Sequence, residues 1–351
     1  RHEESADRVR ATSPLRAGHR YHAGMAAPLY ILGAGSMGLL LAARLQPVAA
    51  PVLLRRPGRW PARLQLTLQD GEARQRLAIA QLGTDALRDP VERLIVCTKA
   101  YDVLLALQGL GSRLAPNAAL LLIQNGMGSQ QAVVRAFPGC SVYAASSTEG
   151  AYRPAPDCVV HAGRGLTRVG RLQGEAQDWV GLLRASGLDC EAVEAIDWHL
   201  AGKLRVNALI NPLTVLHDCR NGELLERPAA EAAMRRLGAE ADAVLAAAGY
   251  TFPEPAFEQA AAVARQTAAN ISSMLQDARA GRPLELEAIT GHLLELAQLH
   301  GVPAPEHAAL YAELVARAAG RQETAASARA RPASQAAGPA PDSRRSRRPT
   351  G

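Results

Sequence analysis

Aromatic side chains are scarce in this 351-residue sequence: Phe, Tyr and Trp together make up 4% of it. Its cores must therefore be filled mainly by Leu, Ala and Val. Cysteine is thin as well. Cys97, Cys140, Cys158, Cys190 and Cys219 stand far apart without a C-x-x-C pair, which argues against a structural metal site and against a disulfide scaffold. That usage fits a reduced, cytoplasmic compartment. No apolar run reaches the roughly 18 residues of a membrane span, because Gly, Asn or Pro interrupts each one. Residues 1–24 lack the apolar stretch of a secretory signal. Met25 stands directly before a strand pattern and is the expected start, with 1–24 a disordered leader or extension; three early acids weaken a transit-peptide reading.

A clustered basic face is missing too. The formal net charge is +6, but five arginines against three acids lie in 1–24 and seven against two in 321–351. The body between is near neutral, unlike a duplex-binding domain, so neither nucleic acid nor membrane is an expected partner. Residues 321–351 are Ala/Pro/Ser/Arg-rich. They offer little apolar area to offset ordering entropy and are expected to be a disordered basic tail.

What is present is ordinary for a soluble chain, 48% hydrophobic and 21% charged, and long enough for two cores. Residues 29–33 read as a short buried strand running into a glycine turn, and 37–45 as a helix. Further strands are expected at 52–54, 94–98 and 120–123, with a helix at 103–110. Short buried strands alternating with helices predict a mostly parallel sheet covered on both faces, its crevice at the carboxyl ends of the strands. Strand cues recur at 141–146, 158–161 and 166–170. From about 190 the pattern turns helical, over 200–216, 229–248, 258–279, 285–300 and 305–319. Pro253, Pro255, Pro283, Pro303 and Pro305 mark the breaks.

Gly33-Ala34-Gly35-Ser36-Met37-Gly38 is a G-x-G-x-x-G between an expected strand and an expected helix, the context that gives the motif its mechanics. Gly33 permits the tight turn, Gly35 lets the backbone approach a pyrophosphate, and Gly38 allows close helix–strand packing. The plain alternative is a glycine turn without a ligand. With this turn, the fold class is α/β: an N-terminal Rossmann-type domain over 25–190, then an all-helical C-terminal domain over 191–320. A site selective for NAD usually carries an acid at the end of the second strand; here Arg55 and Arg56 stand instead. An acid would repel the 2′-phosphate of NADP, whereas Arg pairs with it. Arg55 is the expected contact and NADP the expected cofactor, with Arg56 facing solvent.

Lys99 ends the 94–98 strand and could neutralise a phosphate or a substrate carboxylate, or simply cap a sheet edge. Asn125 follows the next strand in a glycine-flanked loop; it reads as a polar contact near cofactor and substrate, or as an Asx-turn residue. Further on, Lys203, Asn207 and Asn211 recur at i, i+4 and i+8, one face of a helix if the helix continues into Asn211-Pro212. Pro212 predicts a kink or boundary there. A lysine and two amides in line are poor core residues. Asn221-Gly222 reads as a turn able to return an amide to the same cleft. The stretch from Asn270 to Asp277 adds Ser273, and Glu285 follows Pro283 where a new helix can begin.

In order along the chain, these residues resemble the ketopantoate reductase family (2-dehydropantoate 2-reductase). The similarity spans roughly 28–316. It is carried by Gly33–Gly38, Lys99, Asn125-Gly126-Met127-Gly128, the run from Lys203 to Thr214, Asn221-Gly222-Glu223-Leu224, and 272–277 with Gly281, Arg282 and Glu285. The resemblance implies NADPH-dependent reduction of 2-dehydropantoate to (R)-pantoate in pantothenate biosynthesis. It makes Lys203 the general acid, and Glu285 a catalytic partner that orients the cleft through Lys203 or the substrate. Asn207, Asn211, Asn221 and Ser273 become substrate contacts, and Asn125 bridges cofactor and substrate. Gly33 to Gly38, Arg55, Lys99 and Asn125 form the cofactor side, and no metal is implied. Two other readings compete: a reductase of another small 2-oxo acid, and a non-enzymatic NADPH-binding sensor. The oligomeric state stays open, a homodimer included.

Overall fold

The computed structural model describes residues 27–330; the expected leader at 1–24 and the tail from 331 lie outside the described residues. The chain runs β1 (Leu29–Leu32), α1 (Ser36–Ala49), β2 (Val52–Arg55), β3 (Arg63–Asp70), β4 (Ala73–Gly83), β5 (Val91–Val96), α2 (Val103–Gln108), β6 (Leu114–Leu122), α3 (Ser129–Ala136) and β7 (Ser141–Ser147). Then come β8 (Gly150–Ala155), β9 (Cys158–Gly163), β10 (Leu166–Gln173), α4 (Trp179–Ala185) and β11 (Asp189–Ala192). All the strands join one sheet in the order β11-β10-β7-β6-β5-β1-β2-β4-β3-β9-β8. Its centre, from β4 through β2, β1, β5 and β6 to β7, is parallel throughout. Among the described residues, antiparallel pairs occur only towards its ends, at β3–β4, β7–β10 and β8–β9.

Both faces of that centre are covered, and period-two side chains decide which residue goes where. Leu29 and Ile31 of β1 pack with α1 and α4, through Leu39, Leu40, Trp179 and Leu183. Tyr30 and Leu32 face the opposite way, onto Val103 and Leu107 of α2 and Val133 of α3. β5 and β6 split likewise, with Ile95 and Leu121 on the first side and Leu94, Val96, Leu120 and Leu122 on the second. Each fully buried Leu or Ile contributes about 2 kcal/mol of transfer free energy, so two such layers hold the sheet without many aromatics.

The helical part comprises α5 (Ile196–His217), α6 (Glu223–Glu226), α7 (Pro228–Ala247), α8 (Ala256–Gln266), α9 (Ser273–Arg279), a π-helical turn at Glu287–Gly291, α10 (His292–His300) and α11 (Pro305–Ala330). Its core is built around α5, whose Leu200, Leu204, Leu209 and Leu213 meet Met234, Leu237, Phe257, Met274 and Leu275. Met127 and Ala144 of the sheet part belong to the same cluster, so the two parts share packed surface. No helix among the described residues is long and apolar enough to cross a membrane.

Three expectations need correction. Pro212 neither ends nor divides α5, which runs on to His217; buried Leu209, Ile210 and Leu213 around it outweigh the roughly 3 kcal/mol cost of an interior proline. The expected single helix over 258–279 is two. The carbonyls of Ala268 and Asn270 accept from Gly222 N (3.2 Å) and Asn221 N (3.0 Å) instead of continuing α8, and Ser272 caps α9 by accepting from Leu275 N. The start of the expected disordered tail is helical, because α11 continues from Pro305 to Ala330. The Ala-rich run there carries no proline before Pro332 to stop it.

Candidate active site

Strands β1, β5, β6 and β7 lie side by side and parallel, so their carboxyl ends form one edge. Along it stand the glycine turn after β1, Lys99 after β5, Asn125 after β6 and Ser147 at the end of β7. Strands are spaced about 4.8 Å apart, which makes this row roughly 14 Å long.

The glycine turn is shaped by close approach. Gly33 has φ +107°, and a Cβ there would come within 2.9 Å of the Cys97–Thr98 backbone. At Gly38 a Cβ would stand 1.9 Å from the carbonyl oxygen of Gly33, so any side chain would push α1 off the turn. Gly35 is the opposite case: a Cβ would meet nothing within 4 Å. Gly35 stands at the N-cap of α1, whose first turn no side chain caps. Its free N–H groups and the helix dipole suit a pyrophosphate, and the cradle fits the phosphates of a dinucleotide. Ala34 and Met37 lean on the core beneath.

Arg55 ends β2 next to Leu54, whose carbonyl accepts from Gly33 N at 3.3 Å. Its guanidinium lies 4.1 Å from the centroid of the Trp60 ring and Nη1 donates to Gln81 Oε1 at 3.3 Å. Burial, reinforced by the positive charge of Arg153, lowers its pKa. Arg56 turns outward, 88% exposed, to an ion pair with Asp102 at 3.1 Å.

At the other end of the row, Lys203 of α5 donates to the carbonyl of Ser147 at 2.6 Å and to Asn125 Oδ1 at 3.0 Å. Burial drives its pKa from 10.5 down to about 8, against the opposing pull of Glu285. Asn125 Nδ2 makes a long 3.5 Å contact with Glu285 Oε2. Glu285 is buried and does not pair with Lys203. It accepts from Lys99 Nζ at 2.8 Å and from the backbone N–H of Ala100 at 3.2 Å. The expected contact of Glu285 with Lys203 thus runs through Asn125, because Lys99 stands closer and carries the stronger charge-assisted bond.

Lys99 also donates to Asp277 Oδ2 at 2.8 Å. Burial alone would lower its pKa, but the charge of Glu285 and the hydrogen bonds to both carboxylates prevail and raise it. Asp277 in turn accepts from Arg282 Nε at 2.8 Å. None of the readings of Lys99, contact to a phosphate, contact to a substrate carboxylate or sheet-edge cap, anticipates this bridge to two carboxylates of the chain itself, from the sheet to the segment 277–285. The loop Asn125–Gly128 is pinned just beyond that segment, at the π-helical turn Glu287–Gly291. Met127 N donates to the carbonyl of Ala288 at 3.0 Å, and a Cβ at Gly126 would stand 2.0 Å from that oxygen.

Lys203, Asn207 and Asn211 do share the continuous helix α5, the first two half-buried and Asn211 buried. Asn221 is buried, its Nδ2 donating to Thr267 Oγ1 at 2.9 Å. Ser273 is exposed at the first residue of α9, while its neighbour Ser272 bonds Thr214 at 2.6 Å. The hydrogen-bonded assembly therefore unites Lys99, Asn125, Lys203 and Glu285; none of Asn207, Asn211, Asn221 and Ser273 is bonded to it. Sequence reasoning assigned no role to Asp277, Gln81, Ser147 or Arg153. Only Asp277 carried a signal, as an acid at helical spacing from Ser273.

Comparison with known proteins bears on this assembly. The family model "Ketopantoate reductase PanE/ApbA" matches residues 29–174 and its C-terminal companion matches 195–318. A 2-dehydropantoate 2-reductase of Vibrio cholerae is 32% identical over 298 residues, covering 82% of this chain and 96% of the relative. One of Yersinia pestis is 37% identical over 233 residues, 64% of this chain and 74% of the relative. The crystal structure of a probable 2-dehydropantoate 2-reductase from Bacillus subtilis superposes with a TM-score of 0.69 at 30% identity, covering 83% of this chain and 99% of that one. With both halves matched in order and a relative aligned over nearly its whole length, the chain belongs to the ketopantoate reductase family of oxidoreductases.

Proposed function

We propose that this protein reduces 2-dehydropantoate to (R)-pantoate with NADPH, residues 25–190 holding the dinucleotide and 191–320 supplying the substrate side. The observation that carries the reading is Lys203, an ammonium with a pKa of about 8 held at the sheet edge by Ser147 and Asn125. An ammonium has three N–H donors, and these two bonds leave one for a substrate carbonyl. The bound dinucleotide supplies the hydride. As C2 becomes tetrahedral its oxygen gains charge, which Lys203 stabilises and then neutralises by giving up its proton. A pKa near neutrality makes that proton easy to release while Lys203 stays mostly protonated below pH 8.

Asn125 orients Lys203 through Oδ1 and is itself steered by Glu285, which acts as a positioning residue. Asn207 lies one turn beyond Lys203 on α5 and is the best-supported contact for the substrate's hydroxyl and carboxylate. Asn211, Asn221 and Ser273 complete the assignment by resemblance. On the cofactor side the residues are the turn from Gly33 to Gly38, Arg55 and Asn125. Lys99 serves it indirectly, by fixing the cleft wall through Asp277 and Glu285.

The test is NADPH oxidation with 2-dehydropantoate against a panel of small 2-oxo acids, repeated with NADH. Selective turnover of 2-dehydropantoate with NADPH is the expected result. Selective turnover of another acid would overturn the substrate assignment, and binding of NADPH without turnover of any acid would overturn the enzymatic one.

A further inference from the structure

Arg153 belongs to β8, the last strand of the sheet order, yet it reaches the glycine turn. Its Nη1 donates to the carbonyl of Ala34 at 2.9 Å, the residue between Gly33 and Gly35. Arg55 stands at the same turn, one residue after the Leu54 carbonyl that Gly33 N binds, and β2 and β8 both lie on the same flank of β1 in the strand order. Neither guanidinium is paired with an acid among the described residues; Arg55 has only Gln81 and the Trp60 face. The neighbouring cation Arg56, by contrast, is neutralised by Asp102. Two like charges beside an anion-binding turn, with no carboxylate between them, repel each other until an anion joins them.

We propose that Arg153 is a second arm of the cofactor's specificity site and, with Arg55, clamps the 2′-phosphate monoester that distinguishes NADPH from NADH. The inference rests on the dinucleotide reading above. The order of strands decides which phosphate is meant. β5, β6 and β7 lead from β1 towards Lys203, whereas β2 lies on the opposite flank of β1. The reacting end of the dinucleotide must stand at Lys203, so its adenosine end falls at β2, beside Arg55. The pyrophosphate between them is already served by the open side of Gly35 and the uncapped N–H groups of α1. The Coulombic pull-down of the Arg55 pKa by Arg153 agrees that the two cations stand close.

Arg153 is exposed, so Arg153→Gln removes the charge without disturbing a core, and an unchanged Tm verifies that. Dissociation constants for NADPH and NADH come from quenching of protein fluorescence, and those for 2′,5′-ADP and 5′-AMP from competition. Arg153→Gln is expected to weaken NADPH and 2′,5′-ADP about tenfold, the scale of one charge-assisted bond, and to leave NADH and 5′-AMP within about twofold. Arg153→Lys should recover part of the loss, since it keeps charge but loses the fork. Unchanged NADPH affinity in Arg153→Gln would overturn the clamp while the dinucleotide reading stands. Equal losses for NADPH and NADH would move Arg153 to the pyrophosphate and also overturn it. Failure of the unaltered protein to bind either dinucleotide would remove the underlying reading, and the clamp with it.

Discussion

The two ends of the sheet edge are built on different principles. The glycine turn is a backbone site: six consecutive residues, with Gly38 so close to Gly33 that one methyl group would stand 1.9 Å from a carbonyl oxygen. The lysine end is a side-chain site, gathered from Lys99, Asn125, Lys203, Asp277 and Glu285 through bonds of 2.8–3.5 Å. The first is set by sterics and local in sequence. The second is set by charge and exists only once β5, β6, α5 and the segment 277–285 have packed. A pyrophosphate is served by fixed backbone N–H groups, whereas moving a proton needs a group whose pKa the surroundings can tune.

Substitutions can break each end separately. Lys203→Ala should have the largest effect, lowering kcat by about 10²- to 10⁴-fold on the scale of a lost general acid, with the Kd for NADPH almost unchanged. A kcat within a few-fold of the parent would show that the side-chain end is not chemical. Gly38→Ala should behave in the opposite way. Displacing α1 by about 1 Å should cost on the order of 100-fold in kcat/KM, and titration should place that loss in dinucleotide binding. Gly35→Ala is its control, since the new methyl has open space and should obstruct only the ligand, leaving Tm unchanged. If both glycine variants lost stability alike, the turn would be a packing feature and not a phosphate cradle.

Asp277→Asn should act more mildly. It replaces one of the two carboxylates on Lys99 and the partner of Arg282, a loss of about 2 kcal/mol for bonds between charged groups. Chemical denaturation should register that drop, while kcat falls far less than in Lys203→Ala. A kcat loss as large as that of Lys203→Ala would place Asp277 in the chemistry.

The same contrast explains what the sequence could reveal. The turn from Gly33 to Gly38, the alternating strands β1, β5 and β6, and the i, i+4 line of Lys203 and Asn207 are local patterns. The β3–β4 hairpin was legible but missed: Leu64, Leu66 and Leu68 alternate with polar residues up to Asp70-Gly71, a strong hairpin signal. The Lys99–Asp277–Glu285 bridge was not legible, because its partners lie 178 and 186 positions apart and only packing brings them together. Arg153 is similar: nothing in its neighbourhood in sequence shows that β8 returns to the turn after β1. The continuity of α5 through Pro212 also depends on burial that a proline rule does not see.

The central claim is that Lys203 gives up the proton, and the pH dependence of kcat/KM for 2-dehydropantoate tests it most directly. Lys203 must be protonated to act. Since burial lowers its pKa to about 8, activity should be full below that pH and fall about tenfold per unit above it. A profile still flat through pH 10 would mean that no group of lowered pKa donates the proton, and would contradict the account.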